Sequence, residues 1–548
     1  MAVVRAPGLE PQRLTPGRTL FDYADDLRLR VPTSCLRNGY CHECVVEVHA
    51  GQEALRPRSP AEQFLRDPYR LACQALVVED LDVDFEPLRR SPQILSDTRP
   101  RPIEPDPVVR RRGDEVLYDG EPVDRYRGHL YGLAIDLGTT TIAMDLVDLE
   151  TGDSVCVTSF ENPQRFGGSD VMHRITYDGG PHHGELQKAV ATALNHHIAE
   201  MCHRLGFVRQ EIYEITVAGN PTMRDLLFRL DVQPIGTRPY KSMVERAFLD
   251  GERTSTAWVE KSRRLGVRAN IHTRVYGLPL IASQVGADTA ADLVACDLLG
   301  AEGDEVTLLV DVGTNTEVVI SGRGRMVAAS CPAGPAFEGG LVGCGMPGYE
   351  GAIDSVRIDE TGAFAWTTIG GAEPMGICGS GLVDLLAELR RTGRMSEKGV
   401  LAGGRRRNPQ LQVAPDQGVT FSAEDASHLA QAKAANYCGQ YLLLREFGID
   451  PADVSRLYLA GGFANYVDAA NAVAIGFLAP VPEDRIVKVG NAALQGAREV
   501  LISRGRRRKL EAAVAGIEHV ELETVPEFFD AFVDGCMFRP MPSRVLDR

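Results

Sequence analysis

The chain has 548 residues, too many for one hydrophobic core, and 44% of them are apolar, an ordinary share for a folded globular protein. Fifty-nine basic residues against 75 acidic ones leave a formal net charge of −16, which argues against nucleic acid as a main partner. The N-terminus carries no charged-then-apolar signal and no run of about eighteen apolar residues occurs, so the sequence predicts a cytoplasmic protein with no membrane contact. Its twelve cysteines then face a reducing compartment, where structural disulfides are rare.

The N-terminal stretch TLFDYADDLRLRVPTSC predicts a short helix running into a loop with three cysteines in ten residues, CLRNGYCHEC. CVVEVHAG then alternates as a strand, and EQFLRDPYRLACQALVVED predicts a helical turn followed by a strand carrying Cys73. Cys35, Cys41, Cys44 and Cys73 thus fall at C-x5-C-x2-C-x28-C. Zinc sites more often pair two C-x2-C knuckles, whereas here the far cysteine stands alone. The layout is near that of plant-type [2Fe-2S] ferredoxins, and zinc is the alternative. With its flanking elements the segment resembles the plant and adrenodoxin-type ferredoxin (β-grasp) domain over residues 1–91. Only Gly39 remains of the glycines usual around the first two cysteines, and His42 sits between ligands as a loop residue.

Residues 92–126 open with five prolines in nineteen positions and predict an extended, semi-rigid linker. Next, an apolar strand ends in Asp136 and turns through Gly138, Thr139 and Thr140 into a second strand. The same strand–D-x-G-T–strand pattern returns 175 positions later with Asp311, Gly313, Thr314 and Asn315. Glycine lets backbone approach a phosphate, turn N–H groups and hydroxyls donate to its oxygens, and the aspartate can hold a hydrated magnesium ion. A third strand, Leu457 to Ala460, breaks at Gly461-Gly462 before a helix, where a nucleoside can lie against backbone.

The three elements in this order resemble the superfamily of actin, sugar kinases, acetate kinase and heat-shock chaperone ATPases. The fold class expected is therefore α/β with an α+β N-terminal module: a ferredoxin domain joined to a two-lobed actin-like ATPase, with lobes at 127–298 and 299–548. The resemblance makes Gly461, Gly462 and Phe463 the adenosine motif and gives the cleft ATP and magnesium. ENPQRFGGSDVMHRI (161–175), ITVAGNPTM (215–223), CPAGPAFEGG (331–340) and MGICGSGLVDLL (375–386) narrow the likeness to reductive activators of corrinoid proteins. Such a likeness implies electron transfer through a 2Fe-2S cluster, with ATP hydrolysis, to return a Co(II) corrinoid protein to Co(I) for methyl transfer. It implies a corrinoid-binding methyltransferase subunit and an upstream electron donor as partners, and admits a homodimer.

On this reading Asp136 and Asp311 hold magnesium through water, and Glu317, just after the second loop, either orients the attacking water or is a plain solvent-facing strand residue. Ser380, on the glycine-rich turn of GICGSG, either caps a helix or touches the partner. Two other classes stay open: an ATP-dependent electron donor to a different low-potential enzyme, and a nucleotide-regulated kinase-like protein with a redox-sensing domain.

Overall fold

Alternating apolar residues in the first ninety positions close a five-stranded mixed sheet over one short helix. In the computed structural model the chain is described except at residues 1, 8, 30, 32, 34, 36, 40, 41, 43, 89–100, 301–302, 403–409 and 548. Strands β1 (Val3–Arg5), β2 (Gln12–Arg13), β3 (Val45–Ala50), β4 (Tyr69–Leu71) and β5 (Val83–Pro87) lie in the order β2-β1-β5-β3-β4, a β-grasp arrangement. Only β1 and β5 run parallel. Helix α1 (Leu20–Asp26) starts at a Thr19/Asp22 capping box and buries Leu20, Phe21, Tyr23 and Ala24 against the sheet. Cys73 lies in a turn after β4 rather than in a strand. The Ala72 N–H still bonds the Cys44 carbonyl at 2.7 Å, but the Leu71 carbonyl then accepts from both Gln74 and Ala75, which curls the chain and swings Cys73 out of the ladder.

The expected linker is only partly a linker. Residues 92–100 of it lie outside the described residues. Residues 109–125 fold into a meander of β6 (Val109–Arg112), β7 (Glu115–Tyr118) and β8 (Glu121–Arg125). Asp119-Gly120, both at positive φ, make the tight turn between the last two strands. The extended part before the meander is strapped down as well: Arg101 pairs with buried Glu499 at 3.0 Å, and the Asp106 N–H bonds the Ile502 carbonyl at 2.8 Å. A freely swinging tether is therefore not what residues 101–126 provide.

The remainder repeats one connectivity twice. In the first lobe come β9 (Tyr131–Leu137), β10 (Thr141–Asp148), β11 (Ser154–Glu161), α2 (Val171–Asp178), α3 (Glu185–Leu205), β12 (Ile212–Ala218), α4 (Pro221–Leu227), α5 (Met243–Leu249), β13 (Trp258–Lys261), β14 (Arg274–Gly277) and α6 (Ala287–Ala295). The sheet order is β11-β10-β9-β12-β14-β13, antiparallel on one side of β9 and parallel to β12 and β14 on the other. The second lobe opens with β15 (Val306–Val312), β16 (Thr316–Gly322) and β17 (Arg325–Cys331). An insertion follows: β18 (Ala352–Ile358), β19 (Phe364–Thr368), β20 (Gly376–Ile377), α7 (Gly379–Arg391), β21 (Gln410–Ala414) and β22 (Val419–Ser422). The chain continues with α8 (Ala423–Phe447), β23 (Val454–Ala460), α9 (Ala469–Ala474), β24 (Ile486–Gly490), α10 (Ala492–Ile502), α11 (Arg504–Val514), β25 (Glu518–His519) and α12 (Phe528–Gly535); the second sheet has the order β24-β23-β15-β16-β17-β25, while α10 and α11 return to pack on the first lobe's sheet. Strand for strand, β15, β16, β17, β23 and β24 answer β9, β10, β11, β12 and β14.

Helices α6 and α10 cross between the lobes at a contact that needs glycine: a Cβ on Gly496 would overlap the Ala291 carbonyl. The ferredoxin module packs on the first lobe. Phe64 meets Phe166 edge-on at 5.5 Å, the Tyr177 hydroxyl donates to the Phe64 carbonyl at 2.6 Å, and the two apolar cores form one continuous cluster.

Candidate functional site

Three of the four cysteines fall among the described residues, and Cys41 lies outside them. Cys44 and Cys73 bring their sulfurs to 3.3 Å without a disulfide, since all described cysteines are free. The Gln74 side-chain amide donates to the Cys73 sulfur at 3.5 Å, and the Gly39 N–H also points at it. With Cys35 close enough to repel it, Cys73 nonetheless titrates low, at about 7, chiefly through its bond with Cys44. Converging thiols surrounded by N–H donors suit thiolates bound to iron, so this donor set fits an iron–sulfur cluster. His42 turns away from the sulfurs. Its Nδ1 lies 2.8 Å from Glu185 Oε2 on α3, and its ring stacks on Phe64 at 4.1 Å.

In each lobe the central strand delivers an aspartate to the mouth of the cleft. Asp136 ends β9 opposite Ala218 of β12, and Asp311 ends β15 opposite Ala460 of β23. Each facing strand then breaks at a glycine with positive φ, Gly219 at +154° and Gly461 at +114°. A Cβ on Gly219 would crowd the Leu137 carbonyl and one on Gly461 the Val312 carbonyl. The Gly461-Gly462 break thus has a counterpart in the first lobe, Gly219-Asn220, which sequence reading quoted but did not assign. Gly461→Ala is expected to cost roughly 1–3 kcal/mol in backbone strain and to weaken ATP binding more than tenfold; a thermal melt and a nucleotide titration check both.

The first loop, Gly138 to Thr140, is braced from three sides. Asn162 donates to the Gly138 carbonyl at 2.8 Å, the fully buried Arg174 donates to the Thr139 carbonyl at 2.7 Å, and Asn220 donates to the Thr139 hydroxyl at 2.8 Å. Burial drops the Arg174 guanidinium to about 9, low for an arginine. In the second loop the Gly313 N–H bonds the Asn315 carbonyl at 2.9 Å, and the Gly334 N–H bonds the Thr314 carbonyl at 2.8 Å. The loops meet across the lobes: the Thr140 and Thr314 hydroxyls are 3.2 Å apart. Thr140 donates to Glu338 Oε2 at 2.9 Å, and Thr314 makes a short hydrogen bond to the same oxygen.

The cleft floor is crowded with carboxylates. Asp136, Asp288, Asp311, Glu317 and Glu338 all line it, together with Gly461, Gly462 and Phe463. Enclosure by protein pushes Asp136 up to about 7, with Asn491 donating to it at 2.9 Å and Asp288 and Asp311 repelling it. Enclosure and the Asp288 charge raise Asp311 to about 7, and enclosure raises Asp288 to about 6. One turn along α6, fully buried Asp292 meets the Asp311 carboxyl, and enclosure together with the Asp311 and Asp288 charges pushes its own proton affinity well above the usual carboxylate range. Enclosed carboxyls that face one cleft are relieved either by taking up protons or by a cation, and oxygen donors of this kind fit a divalent ion held through its water shell.

Burial bears on two further candidates, Glu317 and Ser380. Glu317 does not face solvent; it is 5% exposed, accepts from the Ser330 hydroxyl at 2.9 Å, and sits against Asp311 and Asp288. Ser380 is enclosed in the unbound chain. It is 0% exposed in the first turn of α7, where Cβ atoms on its neighbours Gly379 and Gly381 would strike the Phe337 and Ile353 carbonyls. Tight backbone packing accounts for Gly379 and Gly381 of GICGSG. Missed by sequence reading were Asn162, Arg174, Asn220, Asp288, Glu338 and Asn491. The Asp288/Asp292 pair, four apart in an otherwise apolar helix, was the visible signal for one of them.

A twofold-repeated lobe with paired hairpin loops closing on a cleft, preceded by a β-grasp module with converging thiols, defines an actin-like, sugar-kinase-type fold bearing a ferredoxin domain. The chain belongs to the RACo family. It matches the 2Fe-2S iron-sulfur cluster binding domain over residues 11–78, the RACo middle region over 131–300 and the C-terminal domain of RACo, the ASKHA domain, over 305–546. It is 30% identical over 451 residues to the corrinoid activation enzyme RamQ of Eubacterium limosum, covering 78% of this chain and 73% of that protein. To the [Co(II) methylated amine-specific corrinoid protein] reductase of Methanosarcina barkeri it is 25% identical over 402 residues, 69% of this chain and 71% of the relative. The solved structure of a reductive activator for corrinoid, iron-sulfur protein superposes with a TM-score of 0.71 at 27% identity, covering 98% of this chain and 99% of that one.

Proposed function

We infer that the protein is an ATP-dependent reductive activator that returns a corrinoid protein from Co(II) to Co(I), so that it can resume methyl transfer. The observation that carries this reading is the joining, on one chain of the RACo family, of a thiol cradle fitted to a cluster and a two-lobed cleft fitted to Mg-ATP. Cys35, Cys41, Cys44 and Cys73 would hold a 2Fe-2S cluster. When bound, such a cluster supplies one electron at roughly −400 mV. Gly138, Thr139, Thr140, Gly313, Thr314 and Asn315 cradle the phosphates, Gly461 and Gly462 lie under the nucleoside, and Asp136 and Asp311 hold magnesium through water. Glu317, paired with Asp311 across neighbouring strands, would stand beside the cation as a further carboxyl.

The thermodynamics favour a nucleotide machine. If the corrinoid lies on the order of 200 mV below the donor, a one-electron transfer is uphill by roughly 5 kcal/mol, at about 59 mV per tenfold. Lobe closure can offset that only through differential affinity: the closed and open states must bind the corrinoid partner unequally. An upstream donor of low potential and a corrinoid-binding methyltransferase subunit complete the reading, and the resemblance admits a homodimer.

The test is anaerobic and optical. Reduced protein is mixed with a panel of Co(II) corrinoid subunits, and Mg-ATP is added. A Co(I) absorption band that requires both ATP and the intact cysteine set is the expected result. ATP hydrolysis and a reducible centre with no Co(I) on any subunit would redirect the reading to an electron donor for another low-potential enzyme.

A further inference from the structure

Glu338 has no place in the assignments above, yet its partners are unusual. It ends a short turn after Pro335 in the loop between β17 and β18, in the segment CPAGPAFEGG. Its Oε2 accepts the hydroxyls of Thr140 and Thr314, one from each lobe, and the Thr314 N–H also reaches the carboxylate. These are the donors that the two loops would otherwise turn toward a phosphate. Glu338 lines the cleft, and enclosure raises its carboxyl above the usual range, opposed by the two threonine hydroxyls and, from behind the first loop, by buried Arg174. Glu317 has a different setting: its oxygen is held by Ser330 and it is repelled by Asp288 and Asp311, whereas Glu338 reaches Asp311 but is held by the two loop threonines.

We propose that Glu338 is a catalytic residue of ATP hydrolysis, orienting the attacking water and accepting its proton. This deepens the reading of the cleft as an ATP site and rests on it. A terminal phosphate entering between the loops competes for both threonine hydroxyls. The carboxylate, left without those donors and repelled by the phosphate, is satisfied by a water whose O–H points at it and whose oxygen points at phosphorus. In the step, the water oxygen bonds to the γ-phosphorus, the bond from that phosphorus to the β-bridging oxygen breaks, and ADP departs with the electron pair. The water proton passes to Glu338 and then to the released phosphate. No atom is oxidised or reduced.

The experiment compares full-length wild type, Glu338→Gln and Glu338→Asp with Mg-ATP, with and without corrinoid subunits. Glutamine keeps the shape and removes the charge, so E338Q should bind a fluorescent ATP analogue within threefold of wild type. Phosphate release should fall at least 100-fold, as kcat and not KM, which is the usual scale for a lost general base. E338D should fall between the two, and thermal melts should match. The proposal is overturned if E338Q hydrolyses ATP within threefold of wild type. It is equally overturned if binding and hydrolysis fall together, because Glu338 would then be only a brace between the loops. Absence of Co(I) with every subunit tests the corrinoid reading alone and leaves the hydrolysis comparison standing. Wild type that neither binds nor hydrolyses ATP removes both.

Discussion

Asp311→Asn should reduce ATP turnover at least 100-fold and, at the same time, make the nucleotide-free protein melt higher at neutral pH. The two effects have one cause. Asp136, Asp288, Asp311 and Glu317 share a cleft floor in which enclosure and mutual repulsion raise their proton affinities. Removing one charge relieves repulsion in the empty cleft and also removes the field that would hold a hydrated cation against the phosphates. Asp136→Asn should behave alike. The pH dependence follows with a definite sign. Asp136 titrates near 3.8 when unfolded and at about 7 in the folded cleft, so the folded state holds the proton more tightly. That contribution destabilises the empty protein above pH 7 and is relieved as pH falls from about 7 toward 4. Melting curves between pH 5 and 8 should therefore rise toward the acid side, less so with Mg-ATP bound and less so in D136N. A flat profile in the wild type would remove the electrostatic account.

Cys73→Ser should abolish the visible absorption of the reconstituted module and all ATP-dependent corrinoid reduction, while ATP binding persists. Cys73 would be the far ligand of the set, its sulfur 3.3 Å from that of Cys44, and Gln74 and Gly39 donate to it. A serine oxygen is harder and less readily ionised than a thiolate, and soft iron–sulfur clusters prefer sulfur. The cleft is built from other elements, so a nucleotide titration separates loss of the cluster from collapse of the chain. Retained reduction in C73S would show that electrons take another route.

The parts of the fold and site that sequence made legible were those where chemistry constrains several neighbouring residues at once. Each D-x-G-T loop needs an aspartate, a glycine and hydroxyls in consecutive places between apolar strands, and the cysteine loop needs ligands at fixed spacing. Residues that act alone were hidden. Glu338 is one acid in a glycine-rich loop, and Arg174 one base on an amphipathic helix; only the folded chain brings them to the hydroxyl of Thr140 and the carbonyl of Thr139. Proline content concealed the meander at 109–125, although Asp119-Gly120 was a hairpin signal. Ser380 kept two readings because glycines that permit close packing and glycines that admit a ligand read identically in one sequence.

The shared core of the ferredoxin module and the first lobe has a kinetic meaning. His42, beside the ligand cysteines, is tied to Glu185, and Phe64 to Phe166, so the sulfur cradle travels with the jaw that carries Asp136. Closing on nucleotide then leaves the electron donor fixed with respect to one jaw and changes its separation from whatever the other jaw grips. Nucleotide in such a molecule would act on the distance between donor and partner rather than on the donor itself.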